Sequence, residues 1–114
     1  FEIPAGKLEA NEPPEVCARR ELEEETGYIS SQLTLLTSFY TSPGFANEYV
    51  YLYEARELTK GDRELDQDEF LEVVEVSLEE AERLVEERKI DDAKTMYAVL
   101  YWKYQELKQA LEDK

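Results

Sequence analysis

The chain has 114 residues, with 13 basic and 28 acidic side chains, no histidine and a net charge of −15. That length fits one small domain, and the 42% apolar share is enough for a modest core. The acidity argues against polyanions such as nucleic acid. The missing imidazole excludes histidine catalysis and histidine metal ligands, so carboxylates remain for acid, base and ligand chemistry.

Taken in order, Phe1-Glu2-Ile3 reads as a short strand broken by Pro4-Ala5-Gly6, where Gly6 permits a tight turn. A loop, Lys7–Glu12, leads into Pro13-Pro14, and proline suits a first helical turn. The helix runs to about Thr26, with Gly27 as its left-handed cap. Within it, spacings of three and four bring Glu21, Glu24 and Glu25 toward one face. That end carries the negative pole of the helix dipole, where each carboxylate is disfavoured by about 0.3–1 kcal/mol. Acidic runs are common on solvated helices, but a hard divalent cation, which takes oxygen ligands, would reverse this penalty. Arg20 and Glu24, four apart, are expected to pair. Cys17, the lone cysteine, falls on the inner side of the helix and reads as a packed thiol. It cannot close an internal disulfide, and no stretch of 18 apolar residues or signal-like opening is present, so a cytoplasmic protein with no membrane span is expected.

A strand is predicted over Leu33–Tyr40, then a loop from Thr41 to Ala46 and a second strand over Glu48–Glu54. Tyr49, Tyr51 and Tyr53 alternate, which gives one aromatic face, read as packing rather than a base-stacking platform. Thr59–Gln67 reads as an exposed loop and Phe70–Val76 as a strand. Ser77 and Glu80 form a capping box that opens a helix to about Glu87. Asp91 or Asp92 then caps a long helix through about Leu111. Its apolar positions Met96, Val99, Leu100 and Trp102 follow a helical period, with Trp102 read as core filler. The order implies an α+β or three-layer α/β/α architecture with a mixed sheet.

One pattern is more specific. Gly6, five residues, Glu12, seven residues, Arg20-Glu21-Leu22, one residue, Glu24-Glu25, one residue and Gly27 resembles the box of the Nudix hydrolase family at every fixed position. Tyr28 stands where that family has a bulky aliphatic residue. The resemblance implies a single Nudix domain over residues 1–114 whose first strands, in an N-terminal segment, are missing. It implies Mg²⁺ (or Mn²⁺) held by Glu21, Glu24, Glu25, the Ala5 carbonyl and Glu69, with Arg20 orienting Glu24 and Gly6 beside the substrate.

Ser42-Pro43-Gly44-Phe45-Ala46-Asn47-Glu48 resembles the loop of the ADP-ribose pyrophosphatase branch. There Glu48 would bond the terminal ribose, Ser42, Pro43 and Gly44 would shape the pocket wall, and Phe45 is a weaker candidate. Pro-Gly alone marks only a turn. Leu65-Asp66-Gln67-Asp68-Glu69-Phe70 resembles that branch's acidic catalytic loop, with Gln67 where a glutamate often stands. An amide cannot accept a proton as a carboxylate does, so Glu69 is the candidate base, with Asp66 or Asp68 as substitutes. Asp92-Ala93-Lys94-Thr95 resembles a recurrent tail segment of the branch with no evident chemical role. The implied activity is Mg-dependent hydrolysis of ADP-ribose, or a similar ADP-sugar, to AMP and ribose 5-phosphate by a homodimer. The alternatives are a Nudix hydrolase of another nucleoside diphosphate derivative and an inactive nucleotide-binding fragment.

Overall fold

Helix formation begins at two consecutive fixed φ angles. Pro13 caps and Pro14 opens α1 (Pro14–Thr26), and Cys17 N–H donates to Pro13 C=O at 3.1 Å. Gly27 ends the helix at φ 80°, with its N–H on Glu23 C=O at 2.9 Å, as a left-handed cap requires. The computed structural model describes residues 1–42, 44, 48–61 and 72–113. They divide into two units, Pro4–Val74 and a second one made of Phe1–Ile3 with Glu75–Lys114.

In the first unit α1 is followed by an antiparallel hairpin of β1 (Tyr28–Tyr40) and β2 (Tyr49–Lys60), registered from Tyr28↔Lys60 to Tyr40↔Tyr49 with an irregularity between Leu35 and Thr37. Both strands are longer than their apolar patterns predict. The extension at the base is polar: Gln32 pairs with Arg56 and Ser30 with Leu58, and Gly61 N–H closes on Gly27 C=O at 2.9 Å. Ladder hydrogen bonds between distant residues hold these positions, whatever their side-chain periodicity. Arg19 ties the helix to the sheet through Nη1 on Ser30 C=O at 2.7 Å. Ser30 is buried, and its hydroxyl reaches Arg56 C=O at 2.7 Å. Tyr40, Tyr49 and Tyr51 pack edge to face, with centroids 4.6 and 5.2 Å apart, although each stays well exposed.

The second unit pairs α2 (Leu78–Glu86) with α3 (Ala93–Glu112). Ser77 accepts from Glu80 N–H at 3.2 Å and Asp92 from Thr95 N–H at 3.0 Å, so both predicted caps form and Asp92 is the one used on α3. Ala81, Ile90 and Val99 make the buried cluster, lined by Val76, Leu78, Leu84, Val85 and Met96. Trp102 is not core filler here: it is 41% exposed, as are Leu100 and Leu107 by more than half. At nine residues α2 is about 13 Å long and covers only the opening turns of the roughly 30 Å α3.

Two further expectations are corrected. Phe1–Ile3 is not a strand; Phe1 N donates to Lys89 C=O at 3.1 Å and Ile3 N–H to Thr95 Oγ1 at 3.2 Å. Of the strand expected over Phe70–Val76, residues 72–76 join no ladder, and Phe70 lies outside the described residues. A β-rich sequence becomes a strand only where a neighbour accepts its N–H groups. The described residues hold a two-stranded antiparallel sheet beside helices, in keeping with the expected α+β class. The Asp92-Ala93-Lys94-Thr95 segment acquires a role: Asp92 caps α3, Lys94 pairs with Asp92 and Glu2, and the buried Thr95 receives Ile3.

Candidate active site

Arg20 is the hub of the carboxylate-rich end of the first unit. Its Nε and Nη2 grip Glu12 at 2.9 and 3.0 Å, and its Nη1 reaches Glu21 at 2.8 Å and Glu24 at 3.2 Å. Nη2 also donates to Lys7 C=O at 3.3 Å. The two-point contact on Glu12 is the geometry in which a guanidinium matches a carboxylate best. Hydrogen bonding from Arg20, then from the Glu9 N–H, lowers the Glu12 carboxyl to about 2. The same bond raises Arg20 further, so it stays charged. Three acids thus crowd a short stretch without mutual repulsion deciding the outcome, because one fixed cation sits among them.

The preceding segment fits against these acids. Ala5 N–H donates to Glu25 Oε2 at 2.8 Å. Gly6 lies so close to Glu21 that a Cβ there would sit 2.0 Å from Glu21 Cδ. Any side chain at position 6 would displace the Glu21 carboxylate, so it is this approach and not φ that favours glycine. Cys17 is buried beside Arg20, and burial, then the Glu12 charge, pushes its thiol up. It remains a neutral packing group. Tyr53 is likewise raised by burial, then by Glu15.

The structure brings together Ala5, Gly6, Arg20, Glu21, Glu24 and Glu25. It does not bring Ser42, Gly44 and Glu48 to them. Those three lie at the hairpin tip, and β1 runs 13 residues from Gly27 to the tip, about 40 Å of strand at the usual rise. Pro43, Phe45, Asp66, Gln67, Asp68 and Glu69 lie outside the described residues. Among the described residues no three Cys, Asp or Glu side chains converge as a ligand set. Glu21 and Glu24 turn to Arg20 and Glu25 turns to Ala5 N–H instead. Two residues enter that carried no separate role in the sequence. Glu12 was marked only as a fixed position of the box, and Thr41 carried no signal at all. Thr41 Oγ1 donates to Glu48 Oε1 at 2.9 Å.

A proline-opened helix with an arginine among glutamates, preceded by a segment whose Gly admits one of them, makes an arginine-centred cluster of carboxylates. A NUDIX domain model matches residues 1–100, and the chain belongs to that family. It is 58% identical over 113 residues to an ADP-ribose pyrophosphatase of Bacillus subtilis (strain 168), covering 97% of this chain and 60% of that protein. It is 52% identical over 107 residues to a methanol dehydrogenase activator of Bacillus methanolicus, covering 92% and 58%. A GDP-mannose pyrophosphatase of Yersinia pestis (strain Pestoides F) is 38% identical over 105 residues, covering 89% and 52%. The chain therefore spans between about half and three fifths of the length of these relatives. No described helix is long and apolar enough to cross a membrane.

Proposed function

We propose that this chain carries the catalytic box of a pyrophosphatase that hydrolyses ADP-ribose, or a similar ADP-sugar, to AMP and ribose 5-phosphate. The observation that carries the reading is the Arg20 hub: a fixed guanidinium gathers Glu12, Glu21 and Glu24, while Ala5 N–H holds Glu25. The 58% identity to a protein named for that activity supports the substrate.

The donor chemistry fits a hard divalent ion. Glu21, Glu24, Glu25 and the Ala5 carbonyl offer only oxygen, and the one nearby sulfur is buried and held neutral. These groups, with Glu69, would hold Mg²⁺ or Mn²⁺. Such an ion neutralises diphosphate oxygens and lowers the pKa of a bound water. For its part, the protein keeps Glu24 and Glu21 oriented through Arg20, and keeps Arg20 oriented through Glu12. Glu69 is the residue we assign to take the proton from the attacking water. Glu48, with Ser42, Pro43, Gly44 and Phe45, is assigned to the sugar end of the substrate. The hairpin's length puts that tip far from its own α1 carboxylates, which supports a homodimer in which the tip serves the partner's site. A cytoplasmic location accords with the free, buried Cys17 thiol.

The relative named a GDP-mannose pyrophosphatase favours one second reading, hydrolysis of another nucleoside diphosphate derivative. AMP release from ADP-ribose, GMP release from GDP-mannose and the effect of Glu25→Gln decide between the two in the intact protein with Mg²⁺. AMP from ADP-ribose, lost at least a hundredfold in the variant, is expected. Turnover of GDP-mannose alone transfers the site to the second reading. Metal-dependent binding of ADP-ribose without AMP would mark a binding module.

A further inference from the structure

The last ladder pair at the hairpin mouth is Tyr40↔Tyr49, and the next pair outward, Thr41 and Glu48, is joined twice. Thr41 N–H donates to Glu48 C=O at 3.2 Å, and Thr41 Oγ1 donates to Glu48 Oε1 at 2.9 Å. Backbone and side chain thus fix the same two residues. The carboxylate takes its direction from Thr41, at the end of the ladder. Threonine suits this task because its branched Cβ restricts χ1.

A carboxylate has about four acceptor sites on two oxygens. The Thr41 hydroxyl uses one site on Oε1, and the second oxygen lies outside that bond. A charged acceptor held in one orientation suits a vicinal diol, whose two O–H groups donate side by side to its two oxygens. We propose that Thr41 is a positioning residue that presents Glu48 to the paired hydroxyls of the distal sugar. This rests on the reading that Glu48 meets the sugar end of the substrate.

The test is steady-state AMP release from ADP-ribose by the intact protein and by Thr41→Val, Thr41→Ser, Glu48→Gln and the Thr41→Val/Glu48→Gln double variant. Thr41→Val raises KM by roughly threefold to tenfold, the span of one ordinary exposed hydrogen bond, with kcat within about twofold. Thr41→Ser, which keeps the hydroxyl, restores KM. The double variant matches Glu48→Gln alone, because Thr41 acts through that carboxylate. An ADP-ribose analogue lacking the distal diol shows the same KM with wild type and Thr41→Val. An unchanged KM in Thr41→Val, or an effect that adds to that of Glu48→Gln, overturns the assignment while leaving the proposed function standing. If wild type releases no AMP, the functional reading itself falls, and this inference with it.

Discussion

Replacing Gly6 by Ala separates a structural role for Glu21 from a ligand role. A Cβ at position 6 would stand 2.0 Å from Glu21 Cδ, 2.2 Å from Oε1 and 2.4 Å from Cγ, so the carboxylate must move by more than an ångström. The obstacle is the end of a flexible side chain rather than backbone, and a rotamer change of that kind costs about 0.5–1.5 kcal/mol. Arg20 gives up its 2.8 Å bond to Glu21 but keeps both contacts on Glu12 and the one on Glu24, so no charge is stranded. The expected thermal midpoint, followed by circular dichroism, falls by roughly 2–6 °C. The expected loss in cation binding is larger, because one anionic ligand leaves the set: Mg²⁺ or Mn²⁺ affinity, read by calorimetry, drops at least tenfold. A lowered midpoint with unchanged cation affinity would remove Glu21 from the ligand set. An unchanged midpoint and affinity would refute the close approach itself.

Other expectations follow from the same contacts. The Glu12 carboxyl is lowered from 4.5 to about 2, so its contribution is complete above pH 4.5 and is lost as pH falls toward 2. Midpoint against pH should decline through that window in wild type, and Glu12→Gln should flatten the decline. Val99→Ala, in the buried cluster, should cost about 1.5–3 kcal/mol in urea unfolding, and Trp102→Ala, at an exposed site, clearly less. Asp92→Ala removes the cap on Thr95 N–H and should cost about 0.5–2 kcal/mol. Cys17, buried and raised in pKa, should react with iodoacetamide at pH 8 far more slowly in the native protein than in urea, as mass spectrometry would count.

The sequence was most legible where a few neighbouring residues decide the backbone. Pro14, Gly27, Ser77 and Asp92 mark helix ends through φ preference or a hydrogen bond reaching three residues, and each stands where those rules put it. The box pattern likewise announced the carboxylates, Arg20 and Gly6, because its spacing is that of one helix and the turn before it. A sequence window could not reveal that Glu12, eight residues from Arg20 and off the helix, is its two-point partner. Nor could it show Thr41 on Glu48.

By itself, then, the sequence determined the helix limits, the acidic face and the family. Each of these follows from short-range geometry and from fixed residue types at fixed spacing. The tertiary structure alone decided how far β1 and β2 extend, which stretches form no strand, that Trp102 is well exposed, and that the hairpin tip lies a full strand length from Gly27. Those outcomes depend on which distant backbone groups find partners and how much of a long helix a short one can cover, and hydrophobic periodicity encodes neither.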